Sequence, residues 1–138
     1  MKVFVTGVRG QLGFDVVNEC KKRGYEVIGV DIEEMDITDA NAVERVITAA
    51  CPDVVVHCAA WTAVDAAEEA ENIPKVRAVN AIGTQNIANV CKILGCKLIY
   101  ISTDYVFDGQ GTKPWVPDQK DYRPLNVYGQ TKLEGELA

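Results

Sequence analysis

A short β-branched and aromatic run, Val3 to Thr6, leads directly into three glycines spaced Gly7-x-x-Gly10-x-x-Gly13. This arrangement leaves little choice of fold. A strand must end and a helix must begin, because Leu12, Val16, Val17 and Cys20 then recur at helical spacing until Gly24. Gly7 supplies the sharp turn, and Gly13 lets the helix lie close to the strand. Gly10 leaves the backbone bare between them. Glu26 to Val30 reads as a second strand that closes on Asp31. Ile32 to Ile37 is too short for a crossover helix and reads as a linker. Asp39 caps a helix with the stripe Val43, Val46, Ile47 and Ala50, which Pro52 stops.

The same alternation continues. Val54-Val55-Val56 is a strand covered on both faces, and Trp61 to Ala70 is a short, acidic, helical excursion. A long helix is expected from near Pro74 to Leu94, with the stripe Val76, Asn80, Gly83, Ile87, Val90 and Leu94 and with Gly95 at its end. Leu98 to Ile101 reads as another buried strand. The stretch from Thr103 to Asn126 carries two glycines and three prolines, and loops of that length in compact domains are usually functional. A final helix starts near Asn126. Strands alternating with helices give an α/β fold: a doubly wound, Rossmann-like parallel sheet with helices on both faces and right-handed crossovers. A chain of 138 residues fits one such domain. Thr131 to Ala138 reads as a helix still in progress, so the chain is expected to be C-terminally truncated.

Charge and cysteine content exclude several classes. Lys plus Arg is 14 and Asp plus Glu is 20, a net charge of −6. That balance speaks against nucleic acid as a partner and against a polybasic membrane patch. No apolar run approaches the roughly 18 residues of a membrane helix. Cysteines number five, an odd count without a Cys-x-x-Cys, and there is one histidine. No metal site or disulfide framework is expected, and reduced thiols in the cytoplasm are the plain reading.

The glycine turn carries the first chemistry. The amides of Gly10, Gln11 and Leu12 lie at a helix N-terminus, where the dipole favours anions, so the turn reads as a pyrophosphate cradle. A tight turn without ligand is the alternative. Against it stands Asp31, an acid 18 residues after Gly13 at the end of the next strand. Its carboxylate can accept both hydroxyls of an adenine ribose, which favours NADH. Arg9 points the other way, because a guanidinium can pair a 2′-phosphate, as NADPH requires. The sequence leaves that choice open. Asp36 and Ile37 could flank the adenine, and Asp36 reads equally well as a helix cap.

The second constellation is Tyr128 with Lys132 four residues later, on one helix face. A phenol is a poor acid–base group at neutral pH, and a nearby ammonium improves it. Ser102-Thr103-Asp104 sits at the C-terminal end of a strand, where open α/β sheets place their sites. Thr103 could bind the carbonyl oxygen that Tyr128 protonates. Asn80 is polar on an apolar stripe and needs partners; it is either catalytic or a buried amide bonded to backbone. His57 reads as a satisfied core or site-edge histidine, Trp61 and Trp115 as packing, and Glu68-Glu69-Ala70-Glu71 as a solvated face.

Together these residues resemble the extended short-chain dehydrogenase/reductase family. Ser102-Thr-Asp-Tyr-Val-Phe-Asp-Gly109, Pro124-Leu-Asn-Val-Tyr-Gly129, Thr131-Lys-Leu-Glu-Gly-Glu136 and Ala60-Trp-Thr-Ala-Val-Asp65 are similar to its dTDP-4-dehydrorhamnose reductase subfamily. The resemblance implies that Gly10, Gln11 and Leu12 hold the pyrophosphate of NADPH or NADH, with Gly7, Arg9 and Gly13 in the same cofactor-binding turn. It places Asp31 at the adenine ribose, Asp36 and Ile37 at the adenine, and Cys58, Ala59, Ala60 and Thr62 along the cofactor. Tyr128 becomes the acid and Lys132 its partner, both also touching the cofactor. Thr103 binds the carbonyl, Asn80 completes the catalytic set, and Thr103, Asp104 and Tyr105 face a nucleotide sugar. Tyr105 stands where related 4,6-dehydratases carry a second carboxylate, so the implied reaction is reduction and not water loss. The implied activity is reduction of the 4-keto group of dTDP-4-dehydro-L-rhamnose. Residues 1–138 would be its cofactor half, inactive alone, with the substrate-binding lobe absent and a homodimer of the full-length protein left open. The alternative is a non-catalytic regulatory subunit similar to that of methionine adenosyltransferase, or another nucleotide-sugar epimerase or reductase of the superfamily. Trp61 to Asp65 favours the reductase.

Overall fold

The computed structural model describes all 138 residues. Four parallel strands form one sheet: β1 (Lys2–Thr6), β2 (Glu26–Val30), β3 (Val54–His57) and β4 (Lys97–Tyr100), in the order β2-β1-β3-β4. Val3 stands between Val27 and Val54, and Val55 pairs Leu98, so the strand ends Thr6, Val30, His57 and Tyr100 lie in one row. The helices are α1 (Gln11–Lys22), α2 (Ala40–Ala50), α3 (Ile73–Arg77), α4 (Gly83–Leu94) and α5 (Val127–Glu136).

Alternation along each strand divides the core. Phe4, Val30 and Val55 face α2 and α4, packing with Val43, Ile47, Ile87 and Val90. Val3, Val5, Val54 and Val56 face α1 and meet Val16, Val17 and Cys20. The Asp39 carboxylate accepts the amides of Asn41 and Ala42 and starts α2. Asn126 does the same for α5 through Gly129. Val54–His57 is buried throughout, as a central parallel strand must be.

Three expectations need correction. The helix read from Pro74 to Leu94 is broken: a π-helical turn, Ala78–Ile82, separates α3 from α4. A π-turn is a local change in hydrogen-bond register and has no residue signature. The strand expected over Leu98 to Ile101 is β4, Lys97–Tyr100, and it is not fully buried: Ile99 is 44% exposed, and Ile101 just beyond the strand is 38% exposed. It pairs with β3 alone and has an open second edge. The acidic stretch is one short 3₁₀ turn, Ala66–Glu68, and it is not merely a solvated face: Glu68 accepts the Val127 amide at 2.6 Å, joining it to the start of α5.

Candidate active site

Two adjoining cavities run along the row of strand ends. The first, about 250 Å³, is lined by Gly7, Arg9, Gly10, Asp31, Asp36, Ile37, Cys58, Ala59 and Ala60 together with Thr6, Val30, Ile32, Met35 and Val79. The second, about 450 Å³, is lined by Gly7, Gly10, Gln11, Leu12, Gly13, Cys58, Ala60, Thr62, Tyr128 and Lys132, with Asp15, His57, Ile101 and Ser102. Gly7, Gly10, Cys58 and Ala60 belong to both, so the two form one groove. Every residue expected at the cofactor lies on its wall.

The three glycines differ in what the fold asks of them. Gly7 has φ +70°, and a Cβ there would stand 2.7 Å from the Ala59 amide nitrogen. At Gly13 a Cβ would strike the Gly7 carbonyl oxygen. Both are required to pack α1 onto the sheet. Gly10 is not: its φ of −77° suits any residue, and the nearest atom to an added Cβ is 3.3 Å away. The bare backbone at Gly10 serves the groove. Gly10 also offers no side-chain acceptor to the first turn of α1, and that turn has no acidic residue. Free amides at a helix start, uncapped and facing a groove, fit a pyrophosphate.

At the adenosine end the Asp31 carboxylate accepts the Arg9 amide (2.9 Å) and the Ile32 amide (2.9 Å). The Arg9 guanidinium pairs with Glu33 and reaches Glu34 at 3.5 Å. The turn after β2 supplies two acids that pair with the guanidinium read as a candidate partner for a 2′-phosphate.

At the other end Lys132 is buried, with its Nζ donating to the Ile101 carbonyl at 2.5 Å and lying 4.1 Å from the centre of the Tyr100 ring. Burial lowers its pKa to about 8, against a smaller upward pull from Glu136. Tyr100 Oη donates to the Lys132 carbonyl (3.0 Å), and burial raises the Tyr100 pKa. Tyr105 packs edge-on against Tyr128, with ring centres 5.7 Å apart, and so brings the turn Asp104–Val106 against the α5 start. Ser102 Oγ is buried in this region without a partner, a state that a ligand would relieve.

Two members of the expected catalytic set are used differently. Asn80 is absent from the groove wall and its amide is fully engaged: Oδ1 accepts the Trp61 amide (2.8 Å), and Nδ2 donates to the Trp61 carbonyl and Thr131 Oγ1 (3.2 Å each). Thr131 in turn donates to the Tyr128 carbonyl at 3.0 Å. Asn80 is thus a buried amide bonded to the Trp61 backbone, as its alternative reading had it, and through Thr131 it is tied to α5. Thr103 is also off the wall: its Oγ1 accepts the Tyr105 amide (3.2 Å) and donates to Asp104 (3.3 Å). Asp104 and Tyr105 are exposed beside it.

His57 has a more specific place than core filler. Its Nδ1 is 2.7 Å from Thr6 Oγ1 and its Nε2 is 3.1 Å from Thr84 Oγ1. Thr84 spends its hydrogen on the Asn80 carbonyl, and Thr6 Oγ1 accepts the Ala59 amide. The donor order then assigns Nε2 as the protonated nitrogen and Nδ1 as the acceptor. Burial, with the Lys132 charge, lowers the His57 pKa to about 3. The reading of a satisfied core or site-edge histidine is met on both counts: both ring nitrogens are bonded and the residue lies on the groove wall.

The RmlD substrate binding domain model matches residues 1–138. The chain belongs to that family. Among its curated relatives, this RmlD-family chain is 41% identical to dTDP-4-dehydrorhamnose reductase of Mycobacterium tuberculosis over 99% of its length and 45% of the relative's. It thus spans about half the length of the curated relatives it matches. It superposes with TM-score 0.93 on a dTDP-4-dehydrorhamnose reductase from Clostridium acetobutylicum (41% identity, 99% of this chain, 48% of that one). A second superposition has TM-score 0.87, on the Bacillus anthracis enzyme solved in complex with NADP (36% identity, 99% and 47% covered). The chain is also 38% identical to methionine adenosyltransferase 2 subunit beta of Bos taurus (99% of this chain and 42% of that one covered).

Proposed function

We propose that this chain is the dinucleotide-binding and proton-donating half of an NAD(P)H-dependent reductase acting on the 4-keto group of dTDP-4-dehydro-L-rhamnose. The observation that carries the reading is the groove itself. It joins an uncapped helix N-terminus, a ribose-competent acid and the Tyr128–Lys132 pair along one row of strand ends. Gln11 and Leu12 would hold the pyrophosphate beside the bare Gly10, whose own amide is donated to the Gly7 carbonyl (3.1 Å) and not to a ligand as expected; Asp31 would hold the adenine ribose, and Asp36 with Ile37 the adenine. When bound, a reduced nicotinamide supplies the hydride that reduces the sugar carbonyl carbon.

Tyr128 gives its phenolic proton to the carbonyl oxygen as that carbon is reduced, which completes the alcohol. Lys132 stays charged near neutral pH because its pKa lies at about 8. Anchored on Ile101 and Tyr100, it favours the tyrosinate that remains. Asn80 and Thr131 keep this turn of α5 in register. Thr103, once its local cap is exchanged for substrate, is the candidate ligand of the sugar oxygen, with Asp104 and Tyr105 on the sugar side. We place the protein in the cytoplasm, where five free thiols suit a reducing compartment. Its full-length form is proposed as a homodimer.

Tyr128→Phe in the full-length protein tests the reading. Dinucleotide binding should persist while sugar-nucleotide reduction is lost; retained turnover would overturn the assignment. The match to the adenosyltransferase subunit supports a second, regulatory reading. Co-purification with a synthetase, together with no reduction of the 4-keto sugar, would favour it.

A further inference from the structure

We propose that Glu33 and Glu34, by holding the Arg9 guanidinium, set this groove's choice of dinucleotide in favour of an unphosphorylated adenine ribose. The inference rests on the dinucleotide reading above and adds the substrate class of that site. Arg9 is the one cationic side chain on the adenosine cavity, so it is the natural partner for a 2′-phosphate. It is already taken, by Glu33 and, at 3.5 Å, by Glu34. Its backbone amide is bound as well, by Asp31 at 2.9 Å.

Glu34 is held in the turn, whereas Glu33 is an exposed side chain whose one polar partner is Arg9. Glu34 Oε2 accepts the Asp31 amide at 2.9 Å, and the Glu34 and Met35 amides both return to the Asp31 carbonyl. Met35, buried to 2% exposure, anchors the turn in the core. Three carboxylates, Asp31, Glu33 and Glu34, thus surround one guanidinium. A 2′-phosphate would have to draw Arg9 away from Glu33 and sit beside the remaining negative charge. A ribose bearing two hydroxyls meets Asp31 without that competition. The groups are exposed, so the discrimination is moderate and falls as salt rises.

The test is titration of the chain with NADH and with NADPH, followed by calorimetry. The native protein should bind NADH about tenfold more tightly than NADPH at low salt, the scale set by exposed charge pairs. E33Q/E34Q retains the acceptor oxygen for the Asp31 amide and frees Arg9. It should raise NADPH affinity by on the order of tenfold and leave NADH within about twofold. Adding Arg9→Met to that double variant should remove the gain, because the freed guanidinium is its source. An unchanged NADH-to-NADPH ratio in E33Q/E34Q would overturn the inference while leaving the dinucleotide reading intact. A gain that survives Arg9→Met would do the same. Binding of neither nucleotide to the native chain would overturn both.

Discussion

Acidification should loosen the seam between β1, β3 and α4 well before the carboxylates titrate fully, and His57 is the reason. An unfolded histidine titrates near 6.5, and in the folded chain burial holds it to about 3. Between those values the unfolded state carries a proton that the folded state does not, so stability rises with pH there and is lost as pH falls below about 6.5. At pH 5 the loss from this one group is about 2 kcal/mol, and it deepens until the pH approaches the folded value. The cause is burial of the ring, at 2% exposure, with the Lys132 charge as a smaller contribution. Urea unfolding from pH 7.5 to 5 in the native protein and in His57→Asn isolates the term, because carboxylates contribute to both. The variant should be less stable at pH 7.5 but lose about 2 kcal/mol less on acidification. Parallel curves for the two proteins would refute the buried neutral histidine.

Three further outcomes follow from the same geometry. In the full-length protein, turnover should decline above about pH 8 as Lys132 loses its proton, and Lys132→Met should abolish that limb together with activity; a limb unchanged near 10 would contradict the assignment. Asp39→Ala removes the acceptor for two amides of α2 and should cost about 1 kcal/mol in urea unfolding. Asn80→Ala frees Thr131 and the Trp61 backbone, so kcat should fall while NADH affinity, read by calorimetry, changes little.

Where local chemistry decides a feature, it was legible in the residues. The glycine turn, the cap at Asp39, the wholly apolar Val54–Val56 and the αL glycine ending α4 each follow from short-range sterics or hydrogen bonding. The same holds for Tyr128 and Lys132, whose spacing alone puts them on one face. What stayed hidden depends on partners far along the chain. Glu68 meets Val127 across 59 residues, and nothing in an acidic run announces that contact. The π-turn at Ala78–Ile82 falls inside a stretch whose stripe reads as one continuous helix. Asp31 and Arg9 were each readable as nucleotide ligands. Glu33 and Glu34 sat in a stretch read as a linker, and only the folded turn brings them onto the guanidinium.

The central claim is that the groove at the strand ends holds a dinucleotide, and Gly10 gives the most direct test. Its φ of −77° is open to any residue, and a Cβ there meets only the Gly7 carbonyl oxygen, at 3.3 Å, so Gly10→Val should still fold, at a modest cost that its melting temperature measures. The added side chain would occupy the approach to the uncapped amides of α1. Calorimetric titration with NADH should show one site per chain in the native protein and none in Gly10→Val. Equal binding by a fully folded Gly10→Val, or no binding by the native chain, would contradict the account.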